Sequence, residues 1–196
     1  MQSMDLSEPI RELSHDDRLD AGRAALQRVA DAIPADLRPI LRGDWLGHRA
    51  HPMLTDLPVG FWTSAGVLDL VGGRRGAPAA QRLVALGLMS VPLAAATGIT
   101  DWREMPASTQ RVGVVHAGGN VAASLLYLLS WKARRRGQRG RGVLFGMAGM
   151  GVATLAGALG GHLAFGEDAP TTVDLDALGD GHRAATADEV HWATHQ

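Results

Sequence analysis

Histidine is the residue type in this sequence best suited to bind a cofactor. The chain has 196 residues, eight histidines and no cysteine. The lack of cysteine excludes disulfides, thiolate metal sites, cysteine-ligated iron–sulfur clusters and cysteine nucleophiles. Because ionisable side chains are costly inside a bilayer, a histidine in an apolar segment predicts a functional site. Four histidines lie in or beside such segments: His48, His51, His116 and His162.

Glycines beside two of these histidines favour a flat, bulky ligand. They are Gly118 and Gly119 after His116, and Gly160 and Gly161 before His162. Helical bundles commonly hold haem through side chains that project inward from facing helices, and glycine leaves room for a porphyrin. Two imidazoles on one iron leave no open position, which favours electron transfer over oxygen chemistry. We therefore predict a b-type haem between His116 and His162, although close helix packing also explains the glycines.

Two alternatives to haem remain open. A bare zinc or copper ion would use all four histidines, His48, His51, His116 and His162. Nearby polar side chains would then orient the imidazoles through hydrogen bonds; these are Asp56, Asp101 and Asn120. Alternatively, the histidines are structural and the protein is a membrane anchor or assembly subunit. The sequence lacks a phosphate-binding loop, a nucleophile elbow and an HExxH motif, so we expect no independent catalytic activity.

Long apolar segments position these histidines. Residues 83–100, 112–131 and 142–165 contain no Asp, Glu, Lys or Arg. About 20 helical residues cross the roughly 30 Å hydrocarbon core of a bilayer. Residues 57–73 are shorter and contain Asp69, but become long enough if the helix begins just after Pro52. The sequence predicts an all-α, integral membrane four-helix bundle, with helices at about 53–72, 80–100, 111–132 and 141–165, rather than a soluble bundle.

The loop charges predict the orientation of this bundle. The first and third loops carry nine basic residues and no acidic one, so both should face the cytoplasm of a bacterial plasma membrane. Both termini would then lie outside. His116 and His162 each lie five residues from a flanking charged residue, which places them at one depth below the outer face. The two halves of the domain show no convincing sequence repeat, so a transporter built from repeats is not indicated.

The ends of the chain differ from the apolar domain. Residues 1–43 form a polar N-terminal extension with an amphipathic helix at about 16–33, which Pro34 ends. We expect this helix to rest on the outer end of the bundle, with docking to a partner or to the membrane surface as the alternative. Residues 44–166 are the membrane domain. Residues 167–196 form an acidic tail that we expect to be flexible. A net charge of −1 argues against nucleic-acid binding.

Several motifs resemble one bacterial membrane family. Residues 45–62 read WLGHRAHPMLTDLPVGFW, and the family called domain of unknown function 2231 typically shows GHPLHPMLVDLPIG followed by a small residue and an aromatic. Further similarities are TGITDW at 97–102, VHA at 115–117 and GGHL at 160–163. Arg49 and Ala50 stand where the family usually has Pro-Leu. The resemblance covers about residues 44–166.

The resemblance implies a four-helix membrane domain close to electron-transfer chemistry. Some members of the family are fused to a Rieske iron–sulfur domain. Since this chain has no cysteine, any such cluster would belong to a partner. The resemblance and the histidines together predict a b-type haem-binding electron-transfer subunit in the lipid bilayer. Its electrons would pass to or from a Rieske-type protein or a quinone at the outer face, and it could form a homo-oligomer.

Overall fold

The computed structural model describes residues 7–165, and those residues are almost entirely helical. The predicted acidic tail, residues 167–196, lies outside the described residues. Two 3-10 turns, Asp17–Leu19 and Asp44–Leu46, connect the short helices near the N-terminus. The α-helices are α1 (Ser7–His15), α2 (Asp20–Asp31), α3 (Arg38–Arg42), α4 (Ala50–Val71), α5 (Gly73–Trp102), α6 (Ala107–Arg135) and α7 (Arg139–Phe165).

The four long helices form two hairpins that pack side by side. α4 pairs with α5, and α6 pairs with α7. The hairpins meet through α5 against α6 and α4 against α7, so α4 and α6 lie diagonally across the bundle. This confirms the predicted all-α fold for the part of the chain that the structure describes. All four long helices overlap the predicted segments.

Three of these helices are long and apolar enough to cross a membrane: Gly73–Trp102, Ala107–Arg135 and Arg139–Ala164. α4 is not among them, because Asp56, Pro58 and Asp69 lower its mean hydropathy. Its 22 residues still extend about 33 Å, slightly more than the roughly 30 Å of the hydrocarbon core. A membrane crossing by α4 therefore stays a prediction.

The turn between α4 and α5 is much tighter than the sequence suggested. The predicted loop before residue 80 is absent, since α5 begins at Gly73 immediately after Gly72. Gly73 has φ +52°, a left-handed conformation that glycine adopts without strain. A Cβ at Gly72 would lie 2.7 Å from the Leu68 carbonyl oxygen. The two glycines therefore allow an almost immediate reversal, and Arg74 and Arg75 lie in the first turn of α5.

The two hairpins bury equivalent residues, which reveals an internal repeat that the sequence did not. On α4 the buried residues include Pro58, Trp62 and Ala65, and Ala123, Tyr127 and Ser130 are buried 65 positions later on α6. The second helices of the two hairpins, α5 and α7, correspond with a shift of 62 positions. Along each helix the matched buried residues are seven positions apart. Their matched buried residues are Ala80, Gly87, Ala94 and Asp101 on α5, and Gly142, Gly149, Ala156 and Leu163 on α7.

Equivalent residues also meet at the centre of the bundle. The rings of Trp62 and Tyr127 stack with their centroids 3.9 Å apart and their planes 12° from parallel. Asp69 and Arg134, again 65 positions apart, form an ion pair. Since α4 and α6 run in the same direction, the hairpins are related by an approximate two-fold axis along the bundle. The repeat is thus parallel rather than inverted.

The N-terminal helices cover one end of the bundle, which we call the capped end; the opposite end, around residues 72–73 and 136–138, is the basic end. Ile10 of α1 is buried against Val112 and Leu163. On α2, a Cβ at Gly22 would lie 2.7 Å from Val114 Cγ1, so this helix packs closely on α6. Within the predicted range 16–33, the α-helix α2 covers Asp20–Asp31 and packs on the bundle.

Candidate functional site

His51 is fixed near the capped end by a hydrogen bond to the neighbouring helix. Its Nδ1 lies 2.9 Å from the carbonyl oxygen of Ala94 on α5. Because a carbonyl only accepts hydrogen bonds, Nδ1 must donate, and Nε2 is then the nitrogen that carries the lone pair. One turn along α5, a Cβ at Gly98 would lie 2.6 Å from His51 Cε1. Gly98 thus provides the space that the imidazole occupies.

His116 repeats this arrangement in the second hairpin. Its Nδ1 lies 2.8 Å from the carbonyl oxygen of Ala156 on α7, and a Cβ at Gly160 would lie 2.6 Å from His116 Cε1. The carbonyl and glycine partners are equivalent, since Ala94 corresponds to Ala156 and Gly98 to Gly160. Two contacts differ: Asn120 Nδ2 lies 3.0 Å from His116 Nε2, and Thr97 Oγ1 lies 3.4 Å from His51 Nδ1. His51 and His116 are therefore a matched pair at one depth on diagonal helices.

The predicted pair of His116 and His162 does not share a face. The two residues lie at nearly the same level, because His116 contacts Gly160 and His162 is only two residues further along α7. Two helical residues correspond to a rotation of about 200°, so His162 projects from the other side of α7, where it is exposed. His48 is also exposed, with its Nδ1 3.1 Å from the Arg49 carbonyl oxygen.

The glycines selected from the sequence serve different purposes. The imidazole of His116 occupies the space beside Gly160. Gly119 allows α6 to approach α7, since its Cβ would lie 2.9 Å from Ala156 Cβ. Gly118 and Gly161 face open space. Of the four glycines, only Gly160 therefore lies against one of these two histidines, and the two imidazoles lie on different sides of α7.

The polar residues predicted to support the site are dispersed. Asp101 is buried and lies 3.1 Å from Arg49, while Asp56 is exposed on α4. Of these three predicted residues, only Asn120 contacts one of the four histidines through its side chain. Across residues 7–165, no group of three or more His, Asp or Glu side chains is arranged to hold a metal ion.

Ion pairs hold the connection between α5 and α6 over the capped end. Arg49 also contacts Glu104, at 3.1 Å, and Arg42 pairs with both Glu104 and Asp44. The hydrogen bond from Arg42 lowers the pKa of Asp44. Trp102 Nε1 donates to the Gln110 carbonyl oxygen at 2.9 Å. This network was not predicted from the sequence, because its members come from separate segments of the chain.

One comparison with known proteins decides the family. Residues 47–172 match the family described as "Predicted membrane protein (DUF2231)". The chain belongs to the DUF2231 family. Within this DUF2231 protein, the match includes the whole of α4, α5, α6 and α7, and it excludes α1–α3. The resemblance inferred from the sequence motifs is thereby confirmed. No curated protein and no solved structure matches the chain significantly.

Proposed function

We propose that this DUF2231 protein is a membrane redox subunit whose b-type haem ligands are His51 and His116. The observation that carries the proposal is the repeat, which gives two histidines equivalent carbonyl and glycine partners at one depth on diagonal helices. Each imidazole donates from Nδ1 to a backbone carbonyl. In metalloproteins such a bond fixes the ring and its tautomer, and leaves Nε2 as the ligand atom. This pair replaces His116 and His162.

The donor set fits haem better than a bare ion. A haem held by two imidazoles supplies one-electron transfer and offers no iron position for oxygen chemistry. Zinc and copper sites in proteins commonly use three or four protein ligands, and residues 7–165 form no such group. The carbonyls of Ala94 and Ala156 would orient the two rings. Asn120 would have to release His116 Nε2, and its exposed position allows this.

The repeat also supports the proposed membrane arrangement. α4 is equivalent to α6, which is apolar enough to span, so we propose four spans with both termini outside the bacterial plasma membrane. The histidines then lie near the outer face. A Rieske-type protein or a quinone at the capped end would exchange electrons there.

The competing function is a membrane anchor or assembly subunit with structural histidines. A specific observation favours it: His116 already has a partner on each ring nitrogen, the Ala156 carbonyl and the Asn120 amide. In lipid, a hydrogen bond between helices, such as the one from His116 to Ala156, contributes about 0.6–2 kcal/mol. In this case both imidazoles would link neighbouring helices and bind nothing.

An absorption spectrum of the full chain, purified in detergent after expression with ample haem, separates the two functions. The sample is measured oxidised and dithionite-reduced, together with elemental analysis. The variants are His51→Ala and His116→Ala, with His162→Ala as the matched control on the exposed side of α7. Our proposal predicts a Soret band and a sharp reduced α-band that disappear in the first two variants and persist in the third.

Other results would overturn the proposal in distinct ways. A spectrum without a Soret band, together with thermal destabilisation by His51→Ala and His116→Ala but not by His162→Ala, would establish structural histidines. A haem band lost only in His162→Ala would return the ligand role to that residue. Stoichiometric zinc or copper without a Soret band would indicate an ion site completed by another subunit.

A further inference from the structure

At the basic end, the last turn of α6, the connection and the first turn of α7 together carry six cationic side chains, and the structure divides them into two groups. Three have partners within the bundle. Arg134 and Arg139 pair with Asp69, and the guanidinium of Arg135 lies 5.0 Å from the ring centroid of Trp131. The other three, Lys132, Arg136 and Arg141, form no salt bridge with any acidic residue between positions 7 and 165.

These three cations line one cleft. The cleft lies between the end of α6 and the start of α7 and has a volume of about 180 Å³. Its lining combines the cations with two large apolar side chains and one amide: Lys132, Arg136, Arg141, Leu129, Phe145 and Gln138. Gln138 accepts a hydrogen bond from Arg141 Nη1 at 3.3 Å, which holds that guanidinium at the rim.

The apolar and cationic parts of the cleft lie at different depths. Leu129 is three residues before Lys132 on α6, and Phe145 is four residues after Arg141 on α7. At about 1.5 Å per residue, each apolar side chain is 4.5–6 Å deeper in the bundle than its cation. Leu129 is 44% exposed, so the apolar floor is open to acyl chains while the cations are at headgroup level.

We propose that this cleft binds one anionic phospholipid. The phosphate would contact Lys132, Arg136 and Arg141, and an acyl chain would lie along Leu129 and Phe145. Basic pockets between transmembrane helices on the cytoplasmic side are typical binding sites for acidic headgroups. The phosphate would neutralise three cations that have no acidic partner among residues 7–165. The site uses no histidine and is independent of the proposed haem.

Native mass spectrometry of the full chain, released from nanodiscs of mixed phosphatidylglycerol and phosphatidylcholine, tests this site. The variant combines Lys132→Gln, Arg136→Gln and Arg141→Gln. The matched control combines Arg74→Gln, Arg75→Gln and Arg82→Gln, three basic residues of α5. We expect wild type and control to retain one phosphatidylglycerol. Retention should fall about a hundredfold in the cleft variant, because each cation near an anionic lipid contributes roughly fivefold.

Thermal unfolding of the same proteins completes the test. Added phosphatidylglycerol should raise the Tm of wild type and control but not of the cleft variant, whereas phosphatidylcholine and inorganic phosphate should raise none. An equal rise with inorganic phosphate would mean that the site binds a free anion, and would overturn the lipid assignment. Equal phosphatidylglycerol retention by all three proteins would overturn the site itself.

Discussion

Asp69 and Arg134 form a bidentate ion pair between equivalent positions of the two hairpins. The oxygen–nitrogen distances are 2.9 and 2.5 Å, and the side chains are 6% and 3% exposed. Position 69 of α4 faces position 134 of α6 across the approximate two-fold axis, so this ion pair joins the two hairpins.

Breaking this ion pair should destabilise the bundle strongly. Asp69→Asn leaves the buried guanidinium of Arg134 without its main counter-charge, and such a loss costs about 3–5 kcal/mol. Thermal unfolding in detergent, followed by tryptophan fluorescence, measures the effect. Arg135→Gln is the matched control, since Arg135 lies over Trp131 instead of pairing with an acid.

A double variant separates the charge from the packing. Replacing the pair by Asp69→Leu and Arg134→Met removes both charges together, and apolar replacements of buried ion pairs are often neutral or stabilising. We expect its Tm to recover most of the loss seen in Asp69→Asn. If the double variant were less stable than Asp69→Asn, the ion pair would contribute more to stability than the burial of its two charges costs.

Alanine at the two glycines beside the histidines should have matched effects. Gly98→Ala and Gly160→Ala each place a methyl group 2.6 Å from an imidazole carbon. The rings must move, and overpacking of this kind costs about 1–3 kcal/mol. Gly161→Ala, which faces open space, is the control for helix propensity. Thermal unfolding measures the loss of stability in each variant. If Gly98→Ala and Gly160→Ala differed by most of this cost, the two sites would not be equivalent.

The hydroxyl group of Tyr127 should be dispensable for stability, whereas its aromatic ring should not. Tyr127 is 2% exposed, and its hydroxyl has no hydrogen-bond partner among the residues that the structure describes. Tyr127→Phe removes an unsatisfied polar group, so we expect stability to be unchanged or raised by about 1 kcal/mol. Tyr127→Ala removes the stack on Trp62 and should cost about 3–5 kcal/mol. Thermal unfolding of both variants checks this, and marked loss in Tyr127→Phe would reveal a buried partner such as water.

The helices were predictable because membrane helices must be long and apolar. Each of the four predicted segments overlaps a helix, with the largest error at α5, which begins at Gly73 rather than near 80. That error arose because Arg74 and Arg75 are typical of a loop. The sequence around Gly72 and Gly73 does not show that these two glycines complete the turn. α3 was missed since Arg38–Arg42 is one short turn of helix.

The pairing of histidines was harder to predict than the helices. Depth can be counted along a sequence, and His116 and His162 do lie at one level. The direction in which His162 projects around the axis of α7 depends on which face of α7 meets α6. That face was not assigned from the sequence. The repeat would have indicated His51 as the structural equivalent of His116. It was hidden because the first helices match at a shift of 65 residues and the second at 62, with few identical residues.

The N-terminal cap should be released only in acid. Arg111 lies 3.0 Å from Asp20 on α2, and Arg103 lies 3.1 Å from Asp31. Hydrogen bonds from these arginines lower the pKa of each carboxyl below its ordinary value of 3.8. A lowered pKa contributes stability above the ordinary value, and this contribution is lost as pH falls through the lowered one. The cap should therefore be unchanged between about pH 7 and pH 5 and loosen below about pH 4.

A spin label measures this release directly, because the chain has no native cysteine. Ala25→Cys places a label on the exposed face of α2, and Met147→Cys places a control label on α7. We expect acid to mobilise only the first label. Adding Asp20→Asn and Asp31→Asn should mobilise it already at neutral pH. If the label on α2 stays immobile in that variant, the burial of Ile10 against Val112 and Leu163 holds the cap without the ion pairs.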